Sequence, residues 1–467
     1  MKRSNQLREM RAEGKARRKY WKIILPIIVL LMLLPVIYRL PPVHDRLSWR
    51  VNELRTRIAY AINPPDEAVF IPQDQQIAEI VQATLDALGL EMSGPATPTP
   101  PLQPSATNLG PTLTPTITAT PLPGGIDLRE QVVYVDQHGR WNYCGPANLT
   151  MSLKFWGWDG NRDQVAEVIK PGPADPEMDY IDRTLVDKNV MPYEMVDYVN
   201  QHTPYRALSR YGGDIEMIKH LLANGFPVMI EKGYYEYSSI TKNIAWMGHY
   251  LFVTGYDDAQ QSFIVQDAYL TPGESILVNY EEFQMQWRYF NYVFILVFPQ
   301  NQETKVMELL GPRADKQWSD RHALDIANQE ISELSGLDLY FAWFNKGTSH
   351  VQLYEYVDAS FAYDYSFLLY ADLTEEDRPY RIMWYQTWPY FAYFYSGRYQ
   401  DVINLANTTL FDTVIDPTLE ESFYWRGMAR LEIGETGNAV DDFLESVRLN
   451  PNFSPGWAML EQLGVQP

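Results

Sequence analysis

A chain with one cysteine in 467 residues cannot be held together by internal disulfides, so its stability has to come from packing. That count, with seven histidines scattered along the chain, leaves no ligand spacing for a structural metal site. No residue pattern calls for a cofactor. Basic charge is scarce too: 38 Lys and Arg stand against 59 Asp and Glu, a net charge of −21, which argues against a nucleic-acid-binding body. What basic charge exists is gathered at the front. Residues 1–22 carry nine basic and two acidic side chains, a net of +7 that leaves −28 for the remainder.

Long apolar runs are equally rare, and one stands out. Residues 23–38 are sixteen consecutive uncharged residues, flanked by Lys22 and Arg39. The run is short for a membrane span, but the flanking cations can snorkel and 40–43 extend the apolar edge. No small-residue cleavage site follows. The expectation is a single-pass signal anchor over 23–40 in the cell membrane, with the basic tail 1–22 cytoplasmic and the body extracytoplasmic.

Residues 41–91 are expected to be a helical stalk. Leu47, Val51, Leu54, Ile58 and Ala61 fall on one helical face, and 77–90 makes a second short helix. Residues 92–125 are Thr/Pro-rich and almost uncharged, the composition of an extended, semi-rigid spacer that would hold the next domain off the membrane. The spacer ends in Leu-Pro-Gly-Gly at 122–125, a hinge or a cleavage site after paired glycines.

The lone Cys144 sits where a helix is expected to begin. Gly145 and Pro146 follow, and a proline in a first turn loses no hydrogen bond. Leu149, Leu153 and Trp156 then make one apolar face. Unpaired N–H groups and the helix dipole favour a thiolate at that end. Downstream, His249 opens an expected strand and Asp267 closes one. A cysteine, a histidine and an acid in that order can serve as nucleophile, base and orienter. Other readings stay open: Cys144 as a small buried hydrophobe, Asp257 or Asp258 as the acid, His138 or His220 as a base. Expected strands lie at 131–135, 226–231, 248–255, 262–266 and 292–298, with helices at 162–169 and 215–222, an α+β layout.

The Tyr-Cys-Gly-Pro-Ala of 143–147, the Gly-His-Tyr of 248–250 running into Val-Thr-Gly-Tyr-Asp at 253–257, and the apolar strand ending in Asp267 resemble the C39-like cysteine peptidases of the papain-like superfamily. The resemblance implies a domain over 126–300 that hydrolyses peptide bonds of a peptide or protein substrate. It also implies Cys144 as nucleophile, His249 as base, Asp267 as the acid that orients it, and Gln137 as the side-chain member of the oxyanion hole. Unlike transporter-linked members, the sequence shows no ATP-transporter domain.

Residues 313–467 carry helical patterning rich in Tyr, Phe and Trp. Small and aromatic residues recur over 340–373, 383–416 and 420–453. The last copy is the clearest, with Phe423, Gly427, Gly434, Ala439, Phe443, Ser446 and Pro451. This resembles tetratricopeptide repeats, an all-α scaffold that commonly binds partner proteins or peptides. Three functions are weighed: a membrane-anchored thiol peptidase, an amidase or transpeptidase on the same fold, and a catalytically inactive binding module.

Overall fold

The computed structural model describes residues 121–140, 142–173, 189–237, 244–413 and 418–465, the run 69–73, and scattered positions between 38 and 62. The expected basic tail, all of the anchor except Tyr38 and Leu40, the helix at 77–90 and the spacer up to residue 120 lie outside the described residues. Among the described residues, no helix is long and apolar enough to cross a membrane.

The first half is an antiparallel sheet sandwiched by helices. Its strands are β1 (Gly125–Asp127), β2 (Tyr205–Arg210), β3 (Val228–Tyr237), β4 (Ile244–Asp257), β5 (Ser262–Gln266), β6 (Ile276–Asn279) and β7 (Phe294–Pro299). Their order is β2-β7-β3-β4-β5-β6, with β1 added to β4. Period-two alternation explains why both faces are covered. Met229, Tyr250, Phe252, Ile295 and Val297 pack under α1 (Cys144–Phe155), α2 (Arg162–Ile169) and α3 (Pro192–His202). Their strand neighbours Ile230, Leu251, Val253, Phe294 and Leu296 point the other way, onto α4 (Ile215–Ala223) and α5 (Tyr280–Arg288).

Several expected boundaries shift. Residues 131–135 do not form a strand: Arg129–Gln131 is a 3₁₀ turn, its entry fixed by Arg129 on the Asp127 carboxylate. The strand forms earlier, at β1, because Gly255 on β4 lets it approach; a Cβ there would lie 2.4 Å from the Ile126 carbonyl oxygen. Pairing of Gly125 with Asp257, and the bond from Asp258 N–H to the Gly124 oxygen at 2.9 Å, builds the paired glycines into the sheet edge. β3 and β4 also run longer than expected, as a ribbon that leaves the sheet and enters the second half of the molecule. Trp246 on that ribbon is fully buried, stacked on Phe290 with Phe341 and Tyr385 around it. Trp246 thereby anchors the two halves together.

After α6 (Glu303–Leu310) and α7 (Lys316–Glu333), the chain forms helix pairs. These are α8 (Gly336–Gln352) with α9 (Tyr356–Asp372) and, past the short α10 (Ile382–Tyr385), α11 (Trp388–Tyr395) with α12 (Tyr399–Asn407). Last come α13 (Glu420–Glu432) with α14 (Thr436–Leu449), then α15 (Ser454–Gln462). The turn within each pair contains one residue in the left-handed region: Tyr354, Gly397 and Gly434. Glycine also sets helix approach, since a Cβ at Gly347 or Gly427 would come within 2.8 Å of the Tyr363 or Phe443 ring.

Residues 69–73, within the expected stalk, contribute to this second half. Phe70 is buried against Phe367 and Tyr393, and Gln73 N–H donates to Asp401 at 2.6 Å. The chain therefore packs on its own helical body at 69–73, ahead of the expected spacer in sequence. By contrast Leu47, Val51, Leu54 and Ile58 are helical and exposed.

Candidate active site

The site is built where α1 begins beside β4. No side chain caps α1; instead Asn148, one turn in, donates to the Cys144 carbonyl at 2.9 Å and to the Tyr250 carbonyl at 3.0 Å. That amide fastens the first turn of the helix to the strand residue following His249. Behind it Tyr143 is fully buried, with the Arg162 and Lys170 cations over its ring.

His249 Nε2 and Asp267 Oδ1 are 2.9 Å apart in a buried pair. The same carboxylate oxygen accepts from the N–H groups of Tyr269 at 2.8 Å and Leu270 at 3.2 Å. Tyr134 Oη donates to the Asp267 carbonyl, and Asp267 N–H to the Gly273 carbonyl, both at 2.8 Å. Asp267 is thus fixed at backbone and side chain. With Nε2 committed to the acid, Nδ1 is the imidazole atom left to serve Cys144. Tyr234 and Tyr269 flank the ring edge-on at 6.1 and 6.2 Å.

The electrostatics of the pair reinforce each other. Burial opposes the Cys144 thiolate, but the His249 hydrogen bond and charge, with the N–H groups of Tyr250 and Gly145, outweigh it and hold the thiol below its ordinary value. Burial likewise opposes the His249 imidazolium; the Asp267 charge and hydrogen bond, then Cys144, overcome it and raise the imidazole to about 10. Asp267 is held well below the usual carboxylate range, burial being outweighed by the charge and hydrogen bond of His249. A thiolate–imidazolium pair is the favoured state, as a nucleophilic cysteine requires.

Gln137 lies in the same corner: its N–H donates to the Ala268 carbonyl at 2.8 Å, next to Asp267. Its side-chain oxygen is buried without a hydrogen-bond partner. The alternative residues are not brought in. Asp257 binds Gln260, and Asp258 binds Lys219 and Tyr280. Both sit at the far end of β4, eight or nine residues from His249, roughly 27 Å along an extended strand. His138 is exposed, its Nε2 on the Tyr269 carbonyl, and His220 is an exposed residue of α4. Among the described residues the one grouping with metal-ligand spacing is His350, Glu355 and Asp358. There His350 Nδ1 already meets Glu355 at 2.7 Å and Arg321 holds the same carboxylate at 2.8 Å, so a cation would compete with a guanidinium. Sequence reasoning missed Asn148, Tyr134 and Gly273; their polarity or smallness gives no signal until α1 and the Asp267 turn are in place.

Residues 129–295 match the model of the Peptidase_C39 like family. No curated protein matches the chain. Three solved structures are similar to part of the chain. A protein from Bacillus anthracis described as a C39-like peptidase is 17% identical, with a TM-score of 0.29, covering 37% of this chain and 96% of its own. The peptidase domain of Streptococcus ComA, a bifunctional ABC transporter of a quorum-sensing pathway, is 16% identical with a TM-score of 0.23, covering 34% and 93%. Xylellain, a cysteine protease from Xylella fastidiosa, is 18% identical with a TM-score of 0.26, covering 38% and 87%.

Proposed function

We propose that the chain, whose residues 129–295 match the C39-like peptidase family, is a thiol peptidase anchored in the membrane by residues 23–40, its body on the extracytoplasmic side. The observation that carries the catalytic reading is the buried 2.9 Å contact of His249 Nε2 with Asp267, which leaves Nδ1 for Cys144 at the start of α1. The basic tail before an uncharged run supports the anchor.

In this reading the Cys144 thiolate attacks the carbonyl carbon of a peptide bond, and the electron pair moves to the carbonyl oxygen. The Cys144 N–H and the Gln137 amide receive that oxyanion. The His249 imidazolium gives its proton to the leaving nitrogen as the C–N bond breaks, leaving an acyl thioester on Cys144 and a neutral imidazole. His249 then takes a proton from water, whose oxygen attacks the thioester; the C–S bond breaks and thiolate and imidazolium are restored. Asp267 holds the ring and its charge throughout. The helix pairs, whose sequence resembles tetratricopeptide repeats, are read as a surface for a substrate or partner protein.

The same thioester serves an amidase or transpeptidase, so its fate decides the reaction class. Digestion of a peptide mixture with and without a primary amine, read by mass spectrometry, tests this. Free carboxyl termini in both arms are expected; products carrying the amine in preference to water would make the chain a transferase. Intact peptides in both arms would leave the inactive binding module.

A further inference from the structure

A second enclosed site lies where the sheet meets the helical half. A cavity of about 140 Å³ is bounded by Glu231 from β3, Arg210 and Tyr211 at the end of β2, Asp320 from α7, and Gln386 and Trp388 at the start of α11. That is the space of roughly four or five liquid waters. Glu231 and Asp320 are each only 1% exposed. On its walls Glu231 Oε1, Asp320 Oδ1 and Arg210 Nε have no hydrogen-bond partner in the protein, although Asp320 Oδ2 meets Lys316 at 2.7 Å and the other Arg210 nitrogens reach the Ser209 and Ala314 carbonyls. Buried polar atoms left without partners are costly. Three around one cavity, of opposite charge and beside the Trp388 and Tyr211 rings, describe a recognition surface.

We propose that this cavity binds a small zwitterion of the α-amino-acid class, its carboxylate on Arg210 Nε and Glu231, its ammonium on Asp320 Oδ1. An all-basic pocket would select an anion and an all-acidic one a cation or amine; here both signs face one space. Burial pushes the Glu231 carboxyl well above its usual range, against opposing hydrogen bonds from Tyr250 and Asn189 on its other side and with the Cys144 charge adding to the rise. Glu231 therefore enters as a neutral donor suited to a carboxylate. The walls come from both halves of the chain, so a ligand here also ties the halves together.

The test is calorimetric titration of the full chain with L-alanine, and with N-acetyl-L-alanine and L-alaninamide, each of which lacks one charge. One saturable site for L-alanine is expected, with both blocked forms weaker by about tenfold or more, the loss of one charge-assisted hydrogen bond. L-Alanine should also raise the melting temperature, as any ligand of the native state does. Asp320→Asn should weaken L-alanine by a similar factor and leave N-acetyl-L-alanine, which has no ammonium for Asp320 to hold, unchanged. Heat-free titration of the folded wild type with no shift in melting temperature would overturn the proposal. So would equal binding of all three ligands.

Discussion

Replacing Asp267 by Asn tests the electrostatics of the site with the least change of shape. The asparagine oxygen can still accept from the Tyr269 and Leu270 N–H groups, so the turn is expected to survive. What is lost is the charge facing His249 in a buried pair. Removing one member of a buried ion pair costs about 3–5 kcal/mol, and retention of the acceptor puts this case near the lower end. About 3 kcal/mol corresponds to roughly two pKa units on the imidazole at 1.36 kcal/mol each, taking His249 down from about 10. Loss of imidazolium then withdraws the main influence holding the Cys144 thiol down. The assay is the pH dependence of Cys144 alkylation by iodoacetamide. The thiolate limb should move to higher pH and the neutral-pH rate should fall about tenfold or more. Stability gives a second reading with a defined sign. His249 is raised, so its contribution is complete below an unfolded value near 6.5 and is lost as pH climbs through about 10. Asp267 is depressed, so its contribution is complete above roughly 3.9 and is lost in acid. The stability gap between wild type and Asp267→Asn should therefore be widest between about pH 4 and 6.5 and narrow towards pH 10. An unmoved alkylation profile, or a gap that widens with alkali, would refute the reasoning.

Two further substitutions probe how the helical half supports the site. Gly248→Ala would place a Cβ 2.6 Å from Tyr385 and 2.8 Å from Phe290; overpacking of about 1–3 kcal/mol is expected, seen in chemical denaturation together with slower Cys144 alkylation. Phe70→Ala removes the ring seated on Phe367 and Tyr393. A loss of up to about 3 kcal/mol should be accompanied by loss of hydrogen-exchange protection in 69–73, while the Cys144 alkylation rate is unchanged.

Much of the site was legible because its chemistry is carried by rare residue types. One cysteine at a helix start, a histidine opening a strand and an acid closing the next need only the helix and strand periods to be placed, and Ser262–Gln266 and Arg162–Ile169 form where the pattern expects them. The legibility fails where long-range contact decides. Gly248 stands out in sequence as part of a motif, but its physical reason is the Tyr385 ring arriving from 137 residues away. The strand expected at 131–135 gave way to one at 125–127 because Gly255 opened an edge there. Phe70 carried no signal beyond being apolar, since its partners lie about 300 residues downstream. Glu231, in a run otherwise suited to a buried strand, looks like a strand-ending charge until the helical half closes over it.

The central claim, that Cys144 is a nucleophile activated by His249, is tested most directly by intact-mass measurement of the folded chain with a peptide bearing a thiol-reactive electrophile at its carboxyl end. One adduct per chain on Cys144 at neutral pH is predicted, none on Cys144→Ala, and labelling slowed about a hundredfold or more in His249→Ala. Folded wild type that takes no adduct, or His249→Ala labelled at the wild-type rate, would contradict it.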